Sequence, residues 1–140
     1  MKQTLPIKDR KAILADLLSE YVFIVTPFMF LIAIKVYSDS WREIFTAPDW
    51  ALVSSIIFGQ ISVRMARSAI KHTRTDDRQF GFYSAKRFFL VAVSLLFYFG
   101  MVAKPTFYLG IGQILLFVLA SFYHFKDGIA SRVLESRSMR

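Results

Sequence analysis

From Thr106 to Phe125 the chain runs for 20 residues without a charged side chain, and no other feature limits its fold as strongly. A helix of about 20 residues crosses the roughly 30 Å hydrocarbon core of a bilayer. Three more apolar segments can be marked, so that the candidate spans lie at about 17–37, 50–69, 88–103 and 106–125. The first carries Glu20 and Lys35 near its ends, where long side chains snorkel toward water. The second keeps only the 13 residues from Ala51 to Val63 free of charge. Runs this short also occur in the cores of soluble bundles. However, neither the third nor the fourth segment has a polar face wide enough to meet water. Composition agrees: 55% of the 140 residues are hydrophobic and 15 are Phe, against roughly 45 to 50% in soluble domains. The expected fold is therefore an all-α integral membrane protein, one domain over 1–140 with four transmembrane helices.

Charge supplies an orientation. Of the 18 Lys and Arg residues, 15 lie in three stretches, 1–18, 64–87 and 126–140. The connection from Ser38 to Asp49 is acidic on balance. The positive-inside rule then places both termini and a basic loop at about 70–87 in the cytoplasm, an N-in/C-in topology. Trp41, Trp50, Tyr37 and Tyr108 fall near the opposite boundary, where amphipathic aromatics anchor helices at headgroup depth. Ahead of the first span, Ile13, Leu14, Leu17 and Leu18 follow helical spacing behind Lys8, Arg10 and Lys11, the pattern of a short amphipathic helix lying at the interface. No small-residue cleavage site follows the first apolar run, so that segment is expected to stay. Pro27 lies inside it and is expected to kink it.

On a helical wheel, Gln60, Arg64, Arg67 and Lys71 form a basic stripe at one end of the second segment. Ser55, Gly59, Ser62 and Ala66, continued by Ala69, form a second stripe of small residues, the kind that lets helix backbones approach closely in lipid. Two readings of the basic stripe stay open. It snorkels to lipid phosphates at about 1 kcal/mol per residue, or it forms a positive vestibule for anions or an acidic partner. In the other spans Thr26, Gln113 and His124 are candidates to line a pore or the bundle interior, because polar side chains within a span usually face one or the other. For Gln113 an interhelical hydrogen bond is the competing role.

Little points to catalysis. The chain has no Cys, and it shows no paired carboxylates, metal-ligand cluster or Gly-rich phosphate loop. No cofactor or metal is expected. The segment Arg67 to His72 resembles the Arg-x4-His signature of HEPN ribonucleases, a resemblance that would make Arg67 and His72 act on RNA phosphate. It covers six residues, and the soluble bundle that pairs two such sites is missing from the rest of the chain. The basic residues fall where topology requires them, so direct nucleic-acid reading is not expected.

In general outline the chain resembles the compact four-span effectors of bacterial anti-phage defence operons, a resemblance of topology with no specific motif. It implies a homo-oligomeric pore or ion-channel-type effector in the bacterial inner membrane, controlled from a basic cytoplasmic face. Anionic headgroups and an acidic cytoplasmic protein or nucleotide-type regulator are the partners such a face suits. A non-conducting membrane anchor or accessory subunit that docks an acidic partner is the alternative.

Overall fold

A computed structural model describes residues 7–71 and 77–138, with side chains described over 9–68 and 81–133. Among the described residues there are five helices and no strand: α1 (Ile7–Tyr37), α2 (Glu43–Thr46), α3 (Asp49–Lys71), α4 (Asp77–Ala103) and α5 (Phe107–Ser138). Local chemistry explains the boundaries. After α1 the chain turns through Asp39 at φ 54°, while the Ser40 amide reaches back 2.9 Å to the Lys35 carbonyl. Asp tolerates this left-handed conformation, and the bond satisfies a carbonyl that the helix end would leave free. Pro105 follows α4. Thr106 then caps α5, its hydroxyl accepting from the Leu109 amide at 3.3 Å.

Contacting pairs give the helix directions. α5 runs against α1, with Phe117 beside Phe28 and His124 beside Leu17. It also runs against α4, with Gly112 beside Phe97 and Asp127 on Arg87. It runs alongside α3, with Phe117 beside Trp50 and Gly128 beside Arg64. α3 is the most enclosed helix: Ala51, Val53, Ile57, Phe58, Ile61 and Met65 are all buried. Phe28, Trp50 and Phe117 knit α1, α3 and α5 through ring contacts of 4.5 to 5.9 Å. α2 folds over this end, receiving the Trp50 indole N–H at the Ile44 carbonyl, 2.7 Å away.

The structure corrects the expectation of four spans. Three helices are long and apolar enough to cross a membrane: Asp9–Tyr37, Gly81–Ala103 and Phe107–Val133. α3 is not among them. Ser54, Ser55, Ser62, Ser68, Arg64 and Arg67 dilute its apolar character, and it is sheltered by α4 and α5. The N-in/C-in assignment rested on four crossings and falls with them. A separate amphipathic N-terminal helix is also absent from the described residues, because α1 is continuous from Ile7 and passes through Pro27. Helix α4 begins at Asp77, so most of the expected 70–87 loop is helical.

These three long apolar helices turn large apolar side chains outward, among them Phe23, Phe30, Leu96, Phe99, Leu115 and Phe122. Monomeric proteins in water rarely expose so much contiguous apolar surface, and lipid is the solvent that suits it. Apart from Lys35 with Glu43 at the other end, the ion pairs among the described residues lie at one end of the bundle, between Asp16, Glu20, Arg64, Arg87, Asp127 and Arg132. Beyond them the uncharged stretches Tyr21–Ile34, Phe88–Ala103 and Phe107–Phe125 are roughly 21 to 28 Å long at 1.5 Å per residue.

Candidate functional site: an arginine-lined cleft

An open cleft of about 860 Å³ lies between α1, α3 and α5, lined by Glu20, Phe23 and Ile24 from α1, by Gly59, Gln60, Val63, Arg64 and Arg67 from α3, and by Arg132 from α5. Its geometry follows from helical spacing. Gly59 and Val63 stand one turn apart, as do Gln60 and Arg64, and Arg67 stands three residues beyond Arg64, so all face one side of α3. Glu20 holds two of the cations, pairing with Arg64 and with Arg132 at 2.7 Å. Arg132 also reaches Asp16 at 3.0 Å. Arg67 is exposed and has no ion pair among the described residues.

A close helix approach makes this arrangement possible. A Cβ at Gly128 would stand 2.8 Å from Arg64 Nη1 and press on the Leu17 methyls, so a larger residue would have to push these side-chain ends aside. Arg64 Nη1 is buried there without a hydrogen-bond partner among the described residues. Between α4 and α5 lies a second polar cluster, none of whose residues lines the cleft. Arg87 Nε donates to Asp127 Oδ2 at 2.8 Å, and the Tyr83 hydroxyl donates to Asp127 Oδ1 at 2.6 Å. The Arg87 guanidinium also stacks 3.5 Å from the centre of the Tyr123 ring. Both charged side chains are almost wholly buried, at 3 and 4% exposure. Every strong contact here is internal, so the cluster clamps α4 to α5. Removing one partner of such a buried pair costs about 3 to 5 kcal/mol.

The basic stripe is thus partly assembled as one surface. Gln60, Arg64 and Arg67 share the cleft, while the Lys71 side chain lies outside the described residues, as does His72. The small-residue stripe divides. Ser55 and Ser62 are buried and return their hydroxyls to the carbonyls of Leu52 and Phe58, at 2.8 and 2.9 Å. Gly59 instead borders the cleft, with nothing within 4 Å of where its Cβ would stand, and Ala66 is exposed.

Thr26, Gln113 and His124 do not converge within one subunit. Thr26 is exposed and donates to the Val22 carbonyl at 2.6 Å. Gln113 is fully buried against α2 and donates to the Ala47 carbonyl at 2.6 Å. His124 is buried against α1, with Nε2 3.1 Å from the Leu17 carbonyl. Sequence reasoning missed Arg132, Asp16 and the pairing role of Glu20. No local signal marked Arg132, which lies eight residues beyond His124 and about 80° round α5 from it.

No family model matches the chain, and neither a curated protein nor a solved structure does so.

Proposed function

We propose that this chain is a membrane-embedded anchor or accessory protein that conducts nothing by itself and holds an anionic group in the cleft. The observation that carries this reading is the convergence of Arg64, Arg67 and Arg132, from two helices, on one open cleft where, among the described residues, two carboxylates, Glu20 in the lining and Asp16 behind Arg132, face three guanidiniums. Two of the guanidiniums are oriented by Glu20, and Arg67 is left free to meet a ligand. Planar guanidiniums suit phosphate and carboxylate, which they bind in bidentate fashion. The polar groups buried within the bundle are largely taken up by one another, as in the Arg87, Asp127 and Tyr83 cluster, so they contribute little to a path for ions.

A second reading, a homo-oligomeric pore or channel-type effector of the antiviral-defence kind, draws on one observation. Gln60 is exposed and Gly59 borders open space, so a second copy closing the cleft would turn a polar strip of α3 into a lining. Purified protein in sealed vesicles separates the two. An anchor leaves trapped dye and ion gradients intact at any protein-to-lipid ratio. Flux that rises steeply with protein density would replace the anchor with the pore.

A further inference from the structure

The cleft changes character along its length. From Gly59 to Arg67 it follows α3 for about 12 Å at 1.5 Å per residue. Its inner part is walled by Phe23, Ile24, Gly59, Gln60 and Val63, and its outer part by Arg64, Arg67 and Arg132. The wall is also continuous with the outward apolar surface, since Phe23 is 82% and Val63 52% exposed. The charged part lies where the uncharged stretches of all three long apolar helices begin or end, at Tyr21, Phe88 and Phe125, which is the depth of the headgroups.

Resting on the reading of the cleft as an anion site, we infer that its occupant is an anionic phospholipid of the surrounding bilayer, its phosphate at Arg67 and one acyl chain along Phe23, Ile24 and Val63. The Gln60 amide, about 6 Å deeper along α3 than Arg64, is a donor that the glycerol ester carbonyls below the phosphate can meet. A free phosphate would leave the apolar wall uncovered. An acidic peptide would carry unsatisfied backbone groups down to hydrocarbon depth, where each is costly. The phospholipid satisfies both parts and enters sideways through the open face. Basic pockets between membrane helices recognise anionic headgroups by this chemistry.

The test starts from protein reconstituted in bilayers of equal parts phosphatidylglycerol and phosphatidylcholine, extracted in mild detergent and weighed intact by native mass spectrometry. The parent is expected to retain phosphatidylglycerol in preference to phosphatidylcholine. Gly59→Leu fills empty space and should fold with the parent's melting temperature while losing the lipid. Arg67→Gln changes only an exposed head and should lower retention about fivefold; it carries the test alone if Leu at position 59 disturbs folding. Equal retention of the two lipids, parental retention in both variants, or displacement of the lipid by millimolar inorganic phosphate or polyglutamate would each overturn the inference. Vesicle flux by the parent would sink the non-conducting reading and leave lipid retention standing, so the two failures are told apart.

Discussion

Gly110 and Gly59 look alike in the sequence, both lying in helices on a stripe of small or polar residues, yet they stand in opposite surroundings. A Cβ at Gly110 would collide with the Phe45 carbonyl oxygen, a backbone atom that cannot step aside, whereas at Gly59 it would meet nothing within 4 Å. Gly110→Ala should therefore lower stability by about 1 to 3 kcal/mol, as overpacking does, by pushing α2 off α5. Gly59→Ala should be neutral or stabilising by up to about 1 kcal/mol, because alanine favours the helix. Thermal melts of the two variants in one detergent check the opposite signs, and a Gly110→Ala variant as stable as the parent would show that α2 is not seated on α5. Gln113 is similar: its stripe position was legible, but not its partner. The Ala47 carbonyl that it binds lies 66 residues earlier, on a connection that local pattern describes only as polar. Arg64 was legible as a stripe member, while its pairing with Glu20 across 44 residues was not. Wheel positions say which way a side chain points along its own helix and leave open which helix stands opposite.

For the helices, α3 shows where sequence reasoning went furthest astray. Its apolar core from Ala51 to Val63 reads like the middle of a span, and burial confirms it as apolar packing. Its serines and two arginines, however, keep it from being apolar enough to cross. Inside the bundle the serine hydroxyls return to the carbonyls of their own helix, as Ser54 does to Trp50 at 2.7 Å, and Arg64 reaches Glu20. Placed alone in a host protein, residues 49–71 should fail to insert through the translocon, whereas residues 107–125 should insert. A single arginine near the centre of such a segment costs about 2.5 to 3.5 kcal/mol on the insertion scale. Efficient insertion of 49–71, read by glycosylation of flanking sites, would show that α3 does not need its neighbours. The all-α class and the approximate positions of the three long apolar helices were legible because apolar runs depend only on local composition. The true starts of α1 and α4 were not. Arg87 looks like loop until Asp127, 40 residues on, neutralises it, and no local pattern announces such a partner.

Taken whole, the bundle shelters α3 among three helices long and apolar enough to cross a membrane and gathers its ion pairs at one end, apart from Lys35 with Glu43 at the other. That placement leaves outward apolar stretches of roughly 21 to 28 Å, less than the roughly 30 Å core of an average bilayer. Of the three, Tyr21–Ile34 is the shortest, held between Glu20 and the Lys35 pair with Glu43. Hydrophobic mismatch costs fractions of a kcal/mol per ångström, paid by thinning the bilayer or by snorkelling. The molecule therefore has a preferred membrane thickness. In nanodiscs of short-chain phosphatidylcholine it should melt at a higher temperature than in long-chain ones, and a melting temperature indifferent to chain length would show that its ends yield freely. In a cell with membranes of unequal thickness, the distance between Glu20 and Lys35 along one helix would then act as an address, favouring the thinner membranes without any targeting signal being read.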